Sequence, residues 1–152
     1  MKKLHTVLLV ISLCIAPLSH ADDVRDACSA LVIDYAQYRD QFDAESFANL
    51  FTEDGILIIG ESRWEGRDAI RARIEALDSS TTIRHHMSSI RITQQDAHHA
   101  TGVSYAVIYS SPAGSNAISG PALIGDYIDR YVLTEDGWRI SHRELVTTHQ
   151  QR

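Results

Sequence analysis

From residue 82 onward the chain reads as four extended segments, 82–94, 99–111, 118–134 and 138–148, divided by Gln95-Asp96, Pro112-Ala113-Gly114-Ser115-Asn116 and Glu135-Asp136-Gly137. Three hairpin connections in succession predict an antiparallel meander. Such a sheet must bury one face, and the first half of the chain supplies the cover. Between Val24 and Phe42 the apolar positions Ala27, Leu31, Tyr35, Tyr38 and Phe42 recur at spacings of three and four, which predicts an amphipathic helix. Asp43 is placed to cap a second short helix from Ala44 to Leu50. Phe51-Thr52-Glu53-Asp54-Gly55 reads as a turn and Ile56 to Ile59 as a short strand. Gly66 precedes a third helix whose Ile70, Ile74 and Leu77 share a face. Helices first and an antiparallel sheet second define an α+β fold, in which a curved sheet wraps the long helix and leaves a concave, mostly apolar cavity.

At 152 residues, 44% of them apolar, the chain fits one domain. Lys2 and Lys3 precede an apolar run from Leu8 to Leu18 that ends at Ser19-His20-Ala21, the pattern of a secretory signal peptide. The run is too short for a permanent membrane span. We therefore expect a leader over 1–21, a single domain over 22–152, and a periplasmic or secreted product. Leu13 before Cys14 is too bulky for a lipidation signal. Cys28, then the single cysteine, reads as a small apolar filler on the first helix. Removing Lys2 and Lys3 from the fourteen basic residues leaves twelve, all arginine, against twenty acidic ones. That acidic balance, without a basic run, argues against nucleic acid or an anionic membrane as partner and favours a small neutral or weakly charged ligand.

Tyr35-Ala36-Gln37-Tyr38-Arg39-Asp40, Leu50-Phe51-Thr52-Glu53-Asp54-Gly55, Gly66-Arg67-Asp68-Ala69-Ile70, Arg84-His85-His86 and Asp136-Gly137-Trp138-Arg139-Ile140 together resemble the SnoaL-like branch of the nuclear transport factor 2-like superfamily. The resemblance covers nearly all of residues 22–152. It implies a cone-shaped barrel of N-terminal helices packed into a strongly curved, mainly antiparallel sheet, with an internal pocket, and a homodimer formed through the outer sheet face. Its members include scytalone dehydratase, ketosteroid isomerase and polyketide cyclases, alongside binding domains without catalysis. By that resemblance Asp40 and His85 form a dyad and Tyr35 stands with them. A carboxylate on one imidazole nitrogen fixes the tautomer and makes the ring a better base, while a tyrosine hydroxyl can steady an oxyanion. Both dehydration and double-bond isomerisation are redox-neutral, so no cofactor is implied.

Other positions carry competing readings. On an ideal helix Asp40 lies about 140° from Tyr35, so the two share a pocket only if its mouth is wide. Tyr38, at helical spacing from Tyr35, reads as core before it reads as substrate-binding. His85 and His86 point to opposite faces of a strand. The resemblance favours His85, whereas alternation groups His86 with Ser88, Ile90 and Ile92 unless a bulge changes the phase. Tyr127 and Asp129 alternate on one face of a later strand; Asp129 pairs with Arg143 across the sheet or binds a polar end of a ligand. Asp129 also stands where the second pocket histidine of scytalone dehydratase would fall, which argues against that specific reaction. No metal is expected: twelve residues separate His86 from His98, on the order of 40 Å along a strand.

Two functions follow from these residues. One is an exported enzyme that removes a proton next to a carbonyl in a small, mostly apolar substrate, with His85 as base; the other is a periplasmic ligand-binding or accessory domain with the same site and no turnover.

Overall fold

The computed structural model describes residues 20–118 and 120–151. The expected leader and Cys14 lie outside them, save for the backbone of His20 and Ala21. The elements are α1 (His20–Gln41), α2 (Ala44–Asn49), β1 (Phe51–Ile59), β2 (Ser62–Glu65), α3 (Arg67–Glu75), β3 (Thr81–Gln94), β4 (His99–Pro112), β5 (Leu123–Thr134) and β6 (Gly137–Gln150). One six-stranded sheet runs in the order β2-β1-β6-β5-β4-β3. The meander β3 to β6 is antiparallel throughout, as the turn spacing predicts. β1 joins it parallel to β6, so the sheet is mixed. It is curved but open, with β2 and β3 at its edges.

α1 lies against the sheet through Val24, Cys28, Leu31, Val32 and Tyr35, a stripe turned slightly from the predicted one, since Ala27 is only half-buried. Cys28 is fully buried, and burial, helped by the charge of Asp129, pushes its thiol up to about 12, which makes it an inert filler. The helix stops at Phe42, whose φ of +58° is left-handed, and the amide of Asp43 closes the end on Tyr38 O at 3.0 Å. Asp43 then caps α2 as expected, its Oδ1 accepting from Ser46 N at 3.0 Å.

Two expectations fail locally. Residues 51–55 are strand, not turn: Phe51 and Gly55 face the core, and the register against β6 slips between Phe51 and Ile56. The polar run Thr52-Glu53-Asp54 is thus a bulge inside β1. β2, antiparallel to β1 after the turn at Gly60 (φ +59°), shows no alternation and gives periodicity nothing to detect.

Small residues on the inner face of β4, Ala100, Gly102, Ser104 and Ala106, make room for large ones on β5 and β6. A Cβ at Gly102 would stand 2.9 Å from Tyr131 Cε2. The inner row of β5 is Tyr127, Asp129 and Tyr131. A register shift opposite Arg130 and Tyr131 lets Ile140 and Arg143 of β6 both point inward, although they lie an odd three positions apart.

Candidate functional site

β3 decides which histidine can act. From Ile83 onward its half-buried residues are Ile83, His85 and Met87, then Ile90 and Ile92, and the change of phase falls at Ser89, which has a φ of +50° where the register against β4 slips. The bulge therefore turns His85 to the helix side and His86 away. Simple alternation from Ile90 and Ile92 is overturned. The ring of His86 packs at 5.6 Å against Tyr109 on the outer face. There, with Thr82, Arg84, Val107 and Ile118, it lines a separate groove of about 500 Å³. His86 shares no wall with His85 and is removed from the candidate site on that ground.

Asp40, in the last turn of α1, reaches the edge strand with both oxygens. Oδ1 lies 2.6 Å from His85 Nδ1, and Oδ2 accepts the His85 backbone amide at 3.0 Å. The side chains are 4% and 11% exposed. Two anchors on one carboxylate fix the imidazole plane, and in the neutral ring they hold the proton on Nδ1 and leave Nε2 as an acceptor. Ile33, Ala36, Gln37 and Asp40 form a stripe along α1, which with His85 and Met87 lines a groove of about 280 Å³.

Tyr35 meets the same imidazole from behind. Its ring stands edge-on to His85 at 6.5 Å and packs against Phe47, Phe51 and Tyr127 at 4.6, 6.4 and 5.2 Å. The 140° separation from Asp40 is thus resolved without a wide mouth, because the two residues flank one ring. Tyr35 is 1% exposed and does not line the groove, so its place is that of a support for His85 and not of a donor to a ligand there. Tyr38 packs against the core.

Behind Tyr35 the centre is packed, where a hollow was expected. Arg143 Nε and Nη2 donate to Asp129 Oδ1 and Oδ2, each at 2.7 Å, and the Tyr131 hydroxyl donates to Oδ2 at 2.7 Å. The Arg143 guanidinium lies over the rings of Tyr35 and Tyr127, at 4.1 and 4.8 Å. Burial alone would lower the pKa of Arg143, but the Asp129 charge and hydrogen bonds carry it above its ordinary value. Tyr127 is raised by burial and then by Tyr35, and Tyr131 by burial and then by Asp129, so both remain phenols, Tyr131 donating to Asp129. Asp129 is a structural partner of Arg143, and Tyr127 a wall of the same cluster.

A second opening, about 240 Å³, lies where Arg39 and Phe42 of α1 face Leu77, Asp78, Thr81, Ile83 and Ser110.

Residues 22–144 match the SnoaL-like domain family. No curated protein matches the chain. Among solved structures, an aspartate-to-asparagine variant of Rv3472, a protein of unknown function from Mycobacterium tuberculosis, is 26% identical, with a TM-score of 0.78 over 90% of this chain and 78% of that one. A protein provisionally named a scytalone dehydratase, from Novosphingobium aromaticivorans DSM 12444, is 25% identical, with a TM-score of 0.75 over 86% and 88%. A type 2 hexachlorocyclohexane dehydrochlorinase (LinA) is 14% identical, with a TM-score of 0.74 over 86% and 89%, and shares the fold.

Proposed function

The chain belongs to the SnoaL-like family, and from that premise we propose that it is a cofactor-free dehydratase or isomerase acting on a small, mostly apolar, carbonyl-bearing compound. The observation that carries the reading is the 2.6 Å contact between Asp40 and His85 beside an open groove. In the reaction His85 Nε2 takes a proton from the carbon next to the carbonyl, and the C–H electron pair passes to the carbonyl oxygen as an enolate. In dehydration the enolate collapses and a hydroxyl on the next carbon leaves, taking the proton back as water. In isomerisation the proton returns to a different carbon. Either route balances without an oxidant. Asp40 holds the Nδ1 proton and stabilises the imidazolium while it exists. Tyr35 keeps the ring in place from the core side.

The relative provisionally named a scytalone dehydratase supports a lyase reading of this family member. Asp129, bound to Arg143, argues for a different substrate than scytalone. Export to the periplasm or outside the cell is part of the proposal, resting on the pattern Lys2-Lys3 followed by Leu8 to Leu18. So is a homodimer through the outer sheet face, where Val103, Tyr105, Ile128 and Val146 are exposed.

The test is a panel of β-hydroxy ketones and β,γ-unsaturated ketones, followed by NMR in deuterium oxide for loss of water or exchange at the carbon next to the carbonyl. Turnover should fall by about a hundredfold or more in His85→Gln and Asp40→Asn, with circular dichroism unchanged. Equal turnover in all three proteins removes the dyad from the mechanism. One observation favours a second reading, a ligand-binding domain without turnover: the tyrosine-packed centre leaves His85 on an open groove, where water is not excluded. Saturable ligand binding with no exchange or dehydration anywhere in the panel would select it.

A further inference from the structure

The outer-face groove of about 500 Å³ that His86 lines is nearly twice the size of the one beside His85, and the proposed reaction makes no use of it. Its floor is built from three cross-strand pairs of β3 and β4: Thr82 with Ser111, Arg84 with Tyr109, and His86 with Val107. Side chains in such pairs stand on one face about 5 Å apart. The rings of His86 and Tyr109 meet edge-on, at 5.6 Å and 84°, so one offers a face where the other offers an edge. Ile118 forms a wall. It belongs to the connection between β4 and β5, which is tied down on both sides, Ala113 N donating to Ser80 O and Ala122 N to Ile108 O, each at 2.7 Å. An apolar side chain that is 56% exposed is thereby held at the side of an aromatic slot.

Charge sets this groove apart from the rest of an acidic chain. Carboxylates line four other openings: Asp40 beside His85, Asp78 beside Arg39, Glu53, Glu65 and Asp68 at the start of α3, and Asp129 beside Arg91 and Arg130. None lines this one, which carries the guanidinium of Arg84 and the imidazole of His86. Arg84 makes no ion pair among the described residues. Its Nη1 donates to the Ile83 carbonyl at 2.7 Å, and the rest of the fork is uncommitted. An imidazole N–H donates to an anion from the neutral ring as well as from the protonated one. A cation and a donor beside an aromatic floor, with no carboxylate to repel, complement a ligand that is flat, apolar and singly negative.

We propose that this groove is a second ligand site, for a small aromatic carboxylic acid, with the acid group at Arg84 and the ring against His86, Tyr109 and Ile118. The site lies on the opposite face of β3 from His85, and it stands whether or not the Asp40–His85 dyad turns a substrate over.

The test is isothermal titration of the full protein at neutral pH with 2-naphthoate and its neutral isostere 2-naphthamide, repeated on Arg84→Met, Ile118→Asp and His85→Gln. Naphthoate should bind wild type about fivefold or more tightly than naphthamide. Arg84→Met keeps the aliphatic stem and should abolish that preference. Ile118→Asp, at an exposed position, adds a carboxylate to the wall and should weaken naphthoate more than naphthamide. His85→Gln should bind both probes as wild type does, which separates this site from the catalytic one. Backbone amide NMR locates the ligand: naphthoate should shift His86, Val107 and Tyr109 and leave Ala36, Gln37 and Asp40 unmoved. Equal binding of the two probes, no saturable naphthoate binding at millimolar concentration, an unchanged preference in Arg84→Met, or shifts confined to α1 would overturn the proposal. Val107 follows Tyr105 of the exposed outer patch by two residues, which makes a second copy of the chain the competing occupant. Naphthoate binding that appears only in Tyr105→Asp would assign the groove to an interface between copies and overturn it as a ligand site.

Discussion

Asp129 and Arg143 sit directly opposite each other on β5 and β6 and close a two-pronged ion pair at 2.7 Å on each prong, with side chains 1% and 0% exposed. A pair this deep offsets its own desolvation only while it is complete. Asp129→Ala leaves a guanidinium buried against two tyrosine rings and should cost about 3–5 kcal/mol by urea unfolding. Replacing both, Asp129→Leu with Arg143→Met, should recover most of that loss. A double variant as unstable as the single one would contradict the assignment of the cost to an orphaned charge.

Gly125 and Gly102 face the same core but should tolerate alanine differently. A Cβ at Gly125 would meet the Val146 carbonyl oxygen at 2.6 Å, which is backbone and cannot turn aside. At Gly102 the nearest atoms, Ile92 Cδ1 and Tyr131 Cε2 at 2.9 Å, are side-chain ends that can shift. Gly102→Ala should cost about 1–3 kcal/mol and Gly125→Ala more. Midpoints of chemical denaturation measured side by side would reverse if the sheet gave way more easily at β6 than Tyr131 does.

His142 supplies a pH dependence. Burial lowers its pKa from 6.5, and the charge of Arg130 lowers it further. Because the folded ring titrates below the unfolded one, its contribution to stability is fully present above 6.5 and is lost as the pH falls through the lower folded value. The melting temperature of wild type should decline over that window, and His142→Gln should flatten this part of the profile. An unchanged slope in the variant would assign the decline to other groups.

The outer face gives a prediction about assembly. Tyr105, Asp126 and Val146 stand in register across β4, β5 and β6, and Val103 pairs with Ile128 in the next row. A second carboxylate placed beside Asp126 on this face, at Tyr105, should separate two copies. Sedimentation should show a dimer for wild type and a monomer for Tyr105→Asp, whereas a monomeric wild type would remove the homodimer from the account.

What the sequence made legible followed from periodicity and turn chemistry. The hairpins of the meander, the Asp43 cap and the face shared by Tyr127, Asp129 and Arg143 are local patterns, and each survives in the fold. Single-residue irregularities were not legible. The bulge at Ser89 reverses the phase of β3 between Met87 and Ile90, and nothing in Ser88-Ser89 distinguishes a bulge from two exposed positions. The slip inside β1 disguised a strand as a turn for the same reason. The openings between helix and sheet lie at the β3 edge and not at the centre, because side-chain volume decides it: Tyr35, Tyr127, Tyr131, Phe47 and Phe51 are buried at the centre.

The claim on which the functional account turns is that His85 is a base with its proton on Nδ1 and a free Nε2. Nitrogen-15 NMR of the neutral His85 ring, assigned by comparison with His85→Gln, reads this without any substrate. The account predicts one protonated ring nitrogen, Nδ1, and an unprotonated Nε2, with that preference lost in Asp40→Asn. A neutral ring carrying its proton on Nε2, with Nδ1 bare toward Asp40, would contradict proton abstraction by His85.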